Sequence, residues 1–395
     1  MRPKSIQKTV CFVSVAKFDE FSGGVDRVAC FLIRYFKSRG YRVISYYWRS
    51  YTDNGDYALI DHSYQFPRDN INYDHNIHFL IDIIGKEQVS LIFDISFVER
   101  IHEICYKAKK SSCVKSILLY QGDPFAYTKS LIDKNDFLKF EHCSCFSRVI
   151  NRLKTPFSYV GRYNSAKELH RHNLLYSDCY VVLSQCFVEK ILRLLHIKAT
   201  NRIYAIPNSV EPFSLKEKKK QVVFVGRMDW QKRVDRLLRI WKKASVSLPD
   251  WNLVLVGDGP YLDNFKQYAR TLSLTHYAFV GAQKAQDFIE ESSVLCLTST
   301  HEGFGLTLVE AQSCGCVPIA FDSYDAVEDI IEDKVSGILV HPFCEKSYAQ
   351  KLIDLCMNFD FRYYLSQQCA QNAKRFSPDV IEQKWDVILN RLSEN

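Results

Sequence analysis

Glu302 and Glu310 stand eight residues apart in the string VLCLTSTHEGFGLTLVEAQSCGCVPIAF, residues 294–321. A loop carboxylate accepts hydrogen bonds from hydroxyl groups, and a glycine loop that opens a helix presents N–H groups to an anion. Gly303, Phe304 and Gly305 make such a loop, with Leu306 at the helix start. A cluster of sugar hydroxyls attached to a phosphate would satisfy both kinds of group. The plainer reading has Glu302 capping the helix and Glu310 solvated on its outer face. Two cations, Arg227 and Lys232, share the string GRMDWQK. A guanidinium fork and an ammonium point charge suit a diphosphate. A salt bridge at a helix start is the alternative for them.

These groups need a frame. Residues 294–297 form an apolar run of strand type, residues 306–313 a short helix stopped by Gly315, and residues 317–321 the next strand. Strand, loop, helix and strand is the unit of an open parallel sheet, which binds ligands at the carboxyl ends of its strands. The alternation runs back through strands at 277–280, 251–256 and 221–225, the pattern of a doubly wound domain. Gly257 and Gly259 follow one of these strands, but Pro260 breaks any dinucleotide fingerprint. An earlier series has strands at 10–15, 41–47, 90–94, 116–120, 178–184 and 202–206. Gly23 and Gly24 follow its first strand, either as an anion-holding loop or as a plain tight turn. Gln121-Gly122-Asp123-Pro124 follows the strand at 116–120, and Asp123 is a positioning group or a turn residue. Residues 49–76 read as loop, and residues 129–172 as the least regular part. The charged stretch 211–220 marks the domain boundary. Two domains are expected, 1–210 and 211–375. The tail 376–395 reads as a helix anchored by Trp385 that packs back on the first domain.

The chain has 395 residues, 47% of them hydrophobic, enough for two cores. The net charge of +7 is concentrated in residues 1–210, which points to an anionic partner or surface. Nucleic acid is not expected, since zinc-finger, RNP and basic-zipper patterns are missing. Fourteen cysteines without Cys-x2-Cys spacing fit a reduced cytoplasm better than a zinc site or a disulfide framework. The apolar run near the start is too short and β-branched for a signal peptide, and no stretch approaches the ~18 apolar residues of a membrane span. Arg148, Arg152, Lys154, Arg162, Lys167 and Arg171 interleave with Leu153, Phe157, Tyr159, Val160 and Tyr163. That segment is either a solvated charged face or a peripheral attachment to an anionic membrane.

EGFG with its small-residue helix resembles the donor-site motif of the retaining glycosyltransferases of family four. GRMDWQK, GGVDRVA at 23–29 and IPNSV at 206–210 resemble further segments of the same family. The likeness covers nearly the whole chain and is strongest over 222–340. The chain looks most like bacterial enzymes that build surface polysaccharides. The resemblance implies a GT-B fold, with two Rossmann-like domains facing each other across a cleft, the first binding acceptor and the second the nucleotide-sugar. It implies that Glu302 holds hydroxyls of the donor sugar, that Gly303, Phe304, Gly305 and Leu306 face sugar and phosphates, and that Glu310 takes the ribose. Arg227 and Lys232 would clamp the diphosphate, forming the catalytic set with Glu302, and Gly23 and Gly24 would join the donor-binding residues. Relatives often carry a His where this chain has Gln121; Gln121 and Asp123 are the acceptor-side candidates.

The implied reaction moves a hexose from a nucleotide-sugar, a UDP-sugar first and GDP-mannose second, to a glycan or lipid-linked saccharide, with retention and without metal or cofactor. The expected place is the cytoplasm, peripheral on the inner membrane face. Two other classes compete. A nucleotide-sugar epimerase on the same scaffold needs a general acid and base beside the sugar, and no such His and carboxylate cluster is visible. A non-catalytic nucleotide-sugar binder would keep the cations and carboxylates without turnover.

Overall fold

The computed structural model describes residues 7–19, 23–49, 57–68, 70, 74–126 and 145–394. The chain divides into two compact units. One holds residues 1–122, 165–209 and 381–395, the other residues 123–164 and 210–380. Each is built on one parallel sheet, and each is a Rossmann-like α/β unit.

The sheet of the first unit comprises β1 (Thr9–Ala16), β2 (Arg42–Arg49), β3 (His62–Gln65), β4 (Val89–Asp94), β5 (Lys115–Leu119), β6 (Cys179–Val182) and β7 (Ile203–Ala205). Its strand order is β3-β2-β1-β4-β5-β6-β7. The inner strands carry buried apolar runs because both faces are covered, as in other parallel sheets. Val10, Cys11, Phe12 and Val13 of β1 are all fully buried. β3 lies in the stretch that reads as loop. It is an edge strand of polar and aromatic residues, exposed or half-exposed, so it carries no apolar run to betray it.

A second departure is the helix Cys145–Tyr176, where the sequence reads as irregular. Its buried stripe in the first unit consists of Ala166, His170 and Asn173. The spacing is helical, but a stripe made of a small residue, an imidazole and an amide is invisible to hydrophobic periodicity. His170 Nδ1 lies 2.7 Å from the buried Tyr180 hydroxyl, and the Asn173 amide donates to the same oxygen. The part of the irregular reading that falls on 129–144 lies outside the described residues. So do the side chains of Arg148, Arg152, Leu153, Lys154 and Phe157.

The final helix, Pro378–Glu394, belongs to the first unit from Ile381 onward. Trp385 is buried with its ring 5.4 Å from that of Phe93. Asp386 accepts hydrogen bonds from the Tyr35 hydroxyl at 2.7 Å and from Arg39, and Glu382 pairs with Arg39 at 2.7 Å.

The second sheet comprises β8 (Lys219–Val225), β9 (Asn252–Val256), β10 (Tyr277–Gly281), β11 (Ser292–Leu297), β12 (Val317–Phe321) and β13 (Ile338–Val340), in the order β10-β9-β8-β11-β12-β13. The helix after β8, Val234–Ala244, buries Val234, Leu237, Leu238 and Trp241 completely, a stripe of helical period. Each such side chain contributes about 1.5–3 kcal/mol by leaving water. The Trp241 indole N–H is satisfied by the Thr275 carbonyl at 3.1 Å. The charged boundary stretch is tied down rather than loose. Ser214 N donates to Glu290 Oε1 at 2.8 Å, and Lys216 pairs with the same carboxylate at 2.7 Å.

In both sheets the strand order reverses beside the first strand, between β1 and β4 and between β8 and β11. Adjacent loops diverge there and leave a crevice at the carboxyl edge.

Candidate donor site

The loops leaving β8 and β11 carry the predicted chemistry. They emerge from neighbouring strands at the switch point of the second sheet and are sewn together. Thr300 N donates to the Gln231 carbonyl at 3.0 Å, the Gln231 amide donates to the His301 carbonyl at 2.8 Å, and Thr298 Oγ1 donates to the Lys232 carbonyl at 3.0 Å. Gly257 and Gly259, the weak glycine pair after β9, find their purpose here. A Cβ on Gly257 would stand 1.9 Å from the Gly226 carbonyl oxygen, and one on Gly259 2.7 Å from that of Met228. Both have positive φ, so glycine alone allows the two loops to touch backbone to backbone.

Lys232 Nζ lies 2.6 Å from Glu302 Oε1, with both side chains largely buried. Arg227 is different. Its side chain is 70% exposed and is held at its base by Asp229, with Nε donating at 2.7 Å. Asp229 also caps the short turn Trp230–Lys232, its Oδ1 accepting from Lys232 N at 3.1 Å. One buried carboxylate thereby holds the Arg227 guanidinium and caps the turn that carries Lys232. Sequence reading passed over Asp229; a carboxylate set between two cations in GRMDWQK is the signal that would have found it.

The plainer readings of the two glutamates do not match the geometry. The residue at the N-cap of the helix Leu306–Ser313 is Gly305, with φ +99° and no side-chain cap, so Glu302 is not capping it. Glu310 is 2% exposed, inside the helix rather than solvated. Phe304 is buried, its ring against that of Phe376 with ring centres 5.6 Å apart. Leu308 and Val309 anchor the helix in the core, while Leu306 is half-buried.

The remaining candidates lie apart from this cluster in the chain. Gly23 precedes the helix Gly24–Ser38, with extended backbone and open space where a Cβ would be. Asp123 is buried and serves a turn, its Oδ1 accepting from Phe125 N at 2.8 Å. Gln121 is half-buried, and its Nε2 has no hydrogen-bond partner among the described residues.

Known proteins agree with this frame. The amylovoran biosynthesis glycosyltransferase AmsD of Erwinia amylovora is 28% identical over 249 residues, 62% of this chain and 67% of its own length. A Campylobacter jejuni enzyme named as an α-1,4-N-acetyl-D-galactosaminyltransferase acting on a diNAcBac-PP-undecaprenol-linked glycan is 25% identical over 66% of this chain and 76% of its own. The first two curated relatives are spanned over 67% and 63% of their lengths. Among solved structures, Anabaena HepE in complex with UDP and glucose superposes with a TM-score of 0.72, covering 98% of this chain and 100% of that one at 15% identity, which speaks for the fold, GT-B. The family model described as glycosyl transferases group 1 matches residues 205–376. That segment, which contains Arg227, Lys232, Glu302 and Glu310, is similar to the group 1 glycosyl transferases.

Proposed function

We propose that the chain is a retaining glycosyltransferase that moves a hexose from a nucleotide-sugar, with UDP-sugars as first candidates, to a glycan or lipid-linked saccharide in the assembly of a surface polysaccharide. The observation that carries this is the Lys232–Glu302 contact at the switch point, with Arg227 on the rim beside it. A cation for the leaving diphosphate and a carboxylate for the sugar hydroxyls stand in contact on two neighbouring loops. The names of relatives support the reading, AmsD as a glycosyltransferase of amylovoran biosynthesis and the Campylobacter enzyme by its undecaprenol-linked acceptor. The UDP bound by HepE supports the nucleotide.

In this mechanism Arg227 and Lys232 neutralise the diphosphate as the bond from the anomeric carbon to phosphate oxygen breaks. These cations and the N–H groups at Gly303–Leu306 supply the stabilising charge within the site rather than from solvent. Glu302 orients the sugar, and Glu310 accepts from the ribose hydroxyls. The acceptor oxygen attacks from the face the phosphate leaves, and its proton passes to the departing phosphate oxygen. Donor binding is assigned to the second unit and acceptor binding to the first. The cations supply the charge that a divalent metal supplies elsewhere, so activity is expected to survive EDTA.

Attachment to an anionic membrane is part of the proposal. In the helix Cys145–Tyr176, Tyr159, Val160 and Tyr163 are exposed, and Arg171 is 69% exposed beside them in sequence. No helix among the described residues is long and apolar enough to cross a membrane. Sedimentation with anionic and neutral liposomes at low and high salt tests it; equal recovery throughout removes it.

The decisive experiment is a thermal-shift panel of UDP-, GDP- and ADP-sugars, followed by a transfer assay read by NMR for anomeric configuration. A donor at a hundred times its dissociation constant stabilises by about 2.7 kcal/mol. No shift with any nucleotide-sugar defeats the proposal. Donor interconversion without transfer favours an epimerase, and binding without either favours a plain nucleotide-sugar binder.

A further inference from the structure

Tyr324 lies in the loop after β12, beside the loop after β11, to which it is fastened by Ser323 Oγ donating to the Ser299 carbonyl at 2.8 Å. The tyrosine is 3% exposed. A Cβ on Gly305 would stand 2.4 Å from its hydroxyl oxygen, so the hydroxyl sits directly under the glycine loop that follows Glu302. Among the described residues that hydroxyl has no hydrogen-bond partner. Burial, reinforced by the negative charge of Glu302, holds the phenol far above its usual range. It is therefore a protonated donor with nothing to donate to. An unmet buried hydroxyl is a cost that native structures seldom carry without a reason.

Glu302 supplies the reason. In the structure its carboxylate is met by the Lys232 ammonium. On the reading given above, Lys232 must turn to the diphosphate when the donor enters. The carboxylate then loses its cation in a largely buried place, which is strongly unfavourable unless another donor replaces it. We propose that Tyr324 is a positioning residue, whose hydroxyl donates to the Glu302 carboxylate when Lys232 passes from Glu302 to the diphosphate of the donor. The exchange keeps Glu302 charged and aimed at the sugar. It also makes diphosphate affinity depend on a side chain that never touches the nucleotide.

A double-mutant cycle on the full chain tests this, with UDP and GDP titrated calorimetrically into wild type, Tyr324→Phe, Glu302→Ala and the double variant, and melting temperatures measured without ligand. Tyr324→Phe should leave the unliganded melting temperature unchanged or raised, because it removes an unmet hydroxyl. It should weaken nucleoside diphosphate binding roughly tenfold, the size of one hydrogen bond to a charged group. Glu302→Ala should tighten binding by releasing Lys232, and adding Tyr324→Phe to it should change nothing further. Equal weakening by Tyr324→Phe in both backgrounds overturns the inference, since the hydroxyl would then touch the ligand or shape the site directly. No weakening in either background overturns it as well. Wild type that binds neither nucleotide removes the functional reading and this inference with it. Wild type that binds, with an additive cycle, removes this inference alone.

Discussion

The two sheets turn at equivalent places, and their switch points are furnished in opposite ways. At the second, Lys232 and Glu302 face each other across two loops, with Arg227 exposed on the rim. At the first, the residue closing β4 is Asp94, whose charge is turned inward. Its Oδ2 lies 2.6 Å from His102 Nδ1, and its Oδ1 accepts from Ser96 N and Oγ at 2.9 and 2.7 Å. Burial works against this carboxylate, yet His102 and Ser96 outweigh it and hold it below its ordinary range. Both switch points own a buried carboxylate. One is held within the fold by His102 and Ser96, while the other is met by the Lys232 ammonium. Topology supplies a crevice, and side chains decide whether it is a binding site.

The sharpest way to break this contrast is to remove each carboxylate in turn. Asp94→Ala leaves His102 buried without its partner and should lower the unfolding free energy by about 3–5 kcal/mol, read from urea denaturation. A loss below ~1 kcal/mol would mean that the first switch point is not structurally committed. Glu302→Ala should melt within a few degrees of wild type yet lose roughly 2–4 kcal/mol of transition-state stabilisation, seen as kcat reduced a hundredfold or more. Unimpaired turnover would transfer the role of Glu302 elsewhere.

A smaller effect separates the two glutamates of the second unit. Glu310→Ala should raise the donor KM about tenfold with little change in kcat, because a ribose contact is equally present in ground and transition states. A fall in kcat at constant KM would place Glu310 at the reacting sugar instead.

The smallest effect concerns the tether between the units' sequences. Burial tends to raise the Glu290 pKa, but Lys216, Gln286 and Ser214 N overcome it and bring it down to about 2. A carboxylate depressed in the folded state stabilises fully above its unfolded value and loses that contribution as pH falls towards the folded one. The window runs from about pH 4.5 down to about 2. Wild type should therefore lose urea resistance between pH 5 and pH 3 more steeply than Glu290→Gln. Parallel profiles would show that the stretch at 211–220 is not fastened by this charge.

Most of the frame was legible because parallel strands buried on both faces need apolar runs, as at residues 10–13 of β1, 253–256 of β9 and 294–297 of β11. The strand β3 escaped for the opposite reason, being an edge strand with few apolar demands. The helix Cys145–Tyr176 escaped because its buried stripe includes His170 and Asn173, whose partner Tyr180 is contributed by a strand further along the chain. Glu302, Glu310, Arg227 and Lys232 were singled out by residue type and spacing together with the likeness of EGFG and GRMDWQK to a known family. Their pairing was not, since Lys232 and Glu302 are seventy residues apart and meet only because β8 and β11 are neighbours. Asp229 and Tyr324 were likewise silent. An aspartate in a turn and a tyrosine after a strand are ordinary in sequence. The first matters because it holds the Arg227 guanidinium and caps the turn that carries Lys232, and the second because its hydroxyl is stranded beneath Gly305. Local chemistry and periodicity are written into adjacent residues, so the sequence by itself determined the parallel α/β units, their alternation and the charged residues of the loops after β8 and β11. Which charges touch, and which polar atoms are left waiting, depends on strand order and burial, and only the tertiary structure decided it.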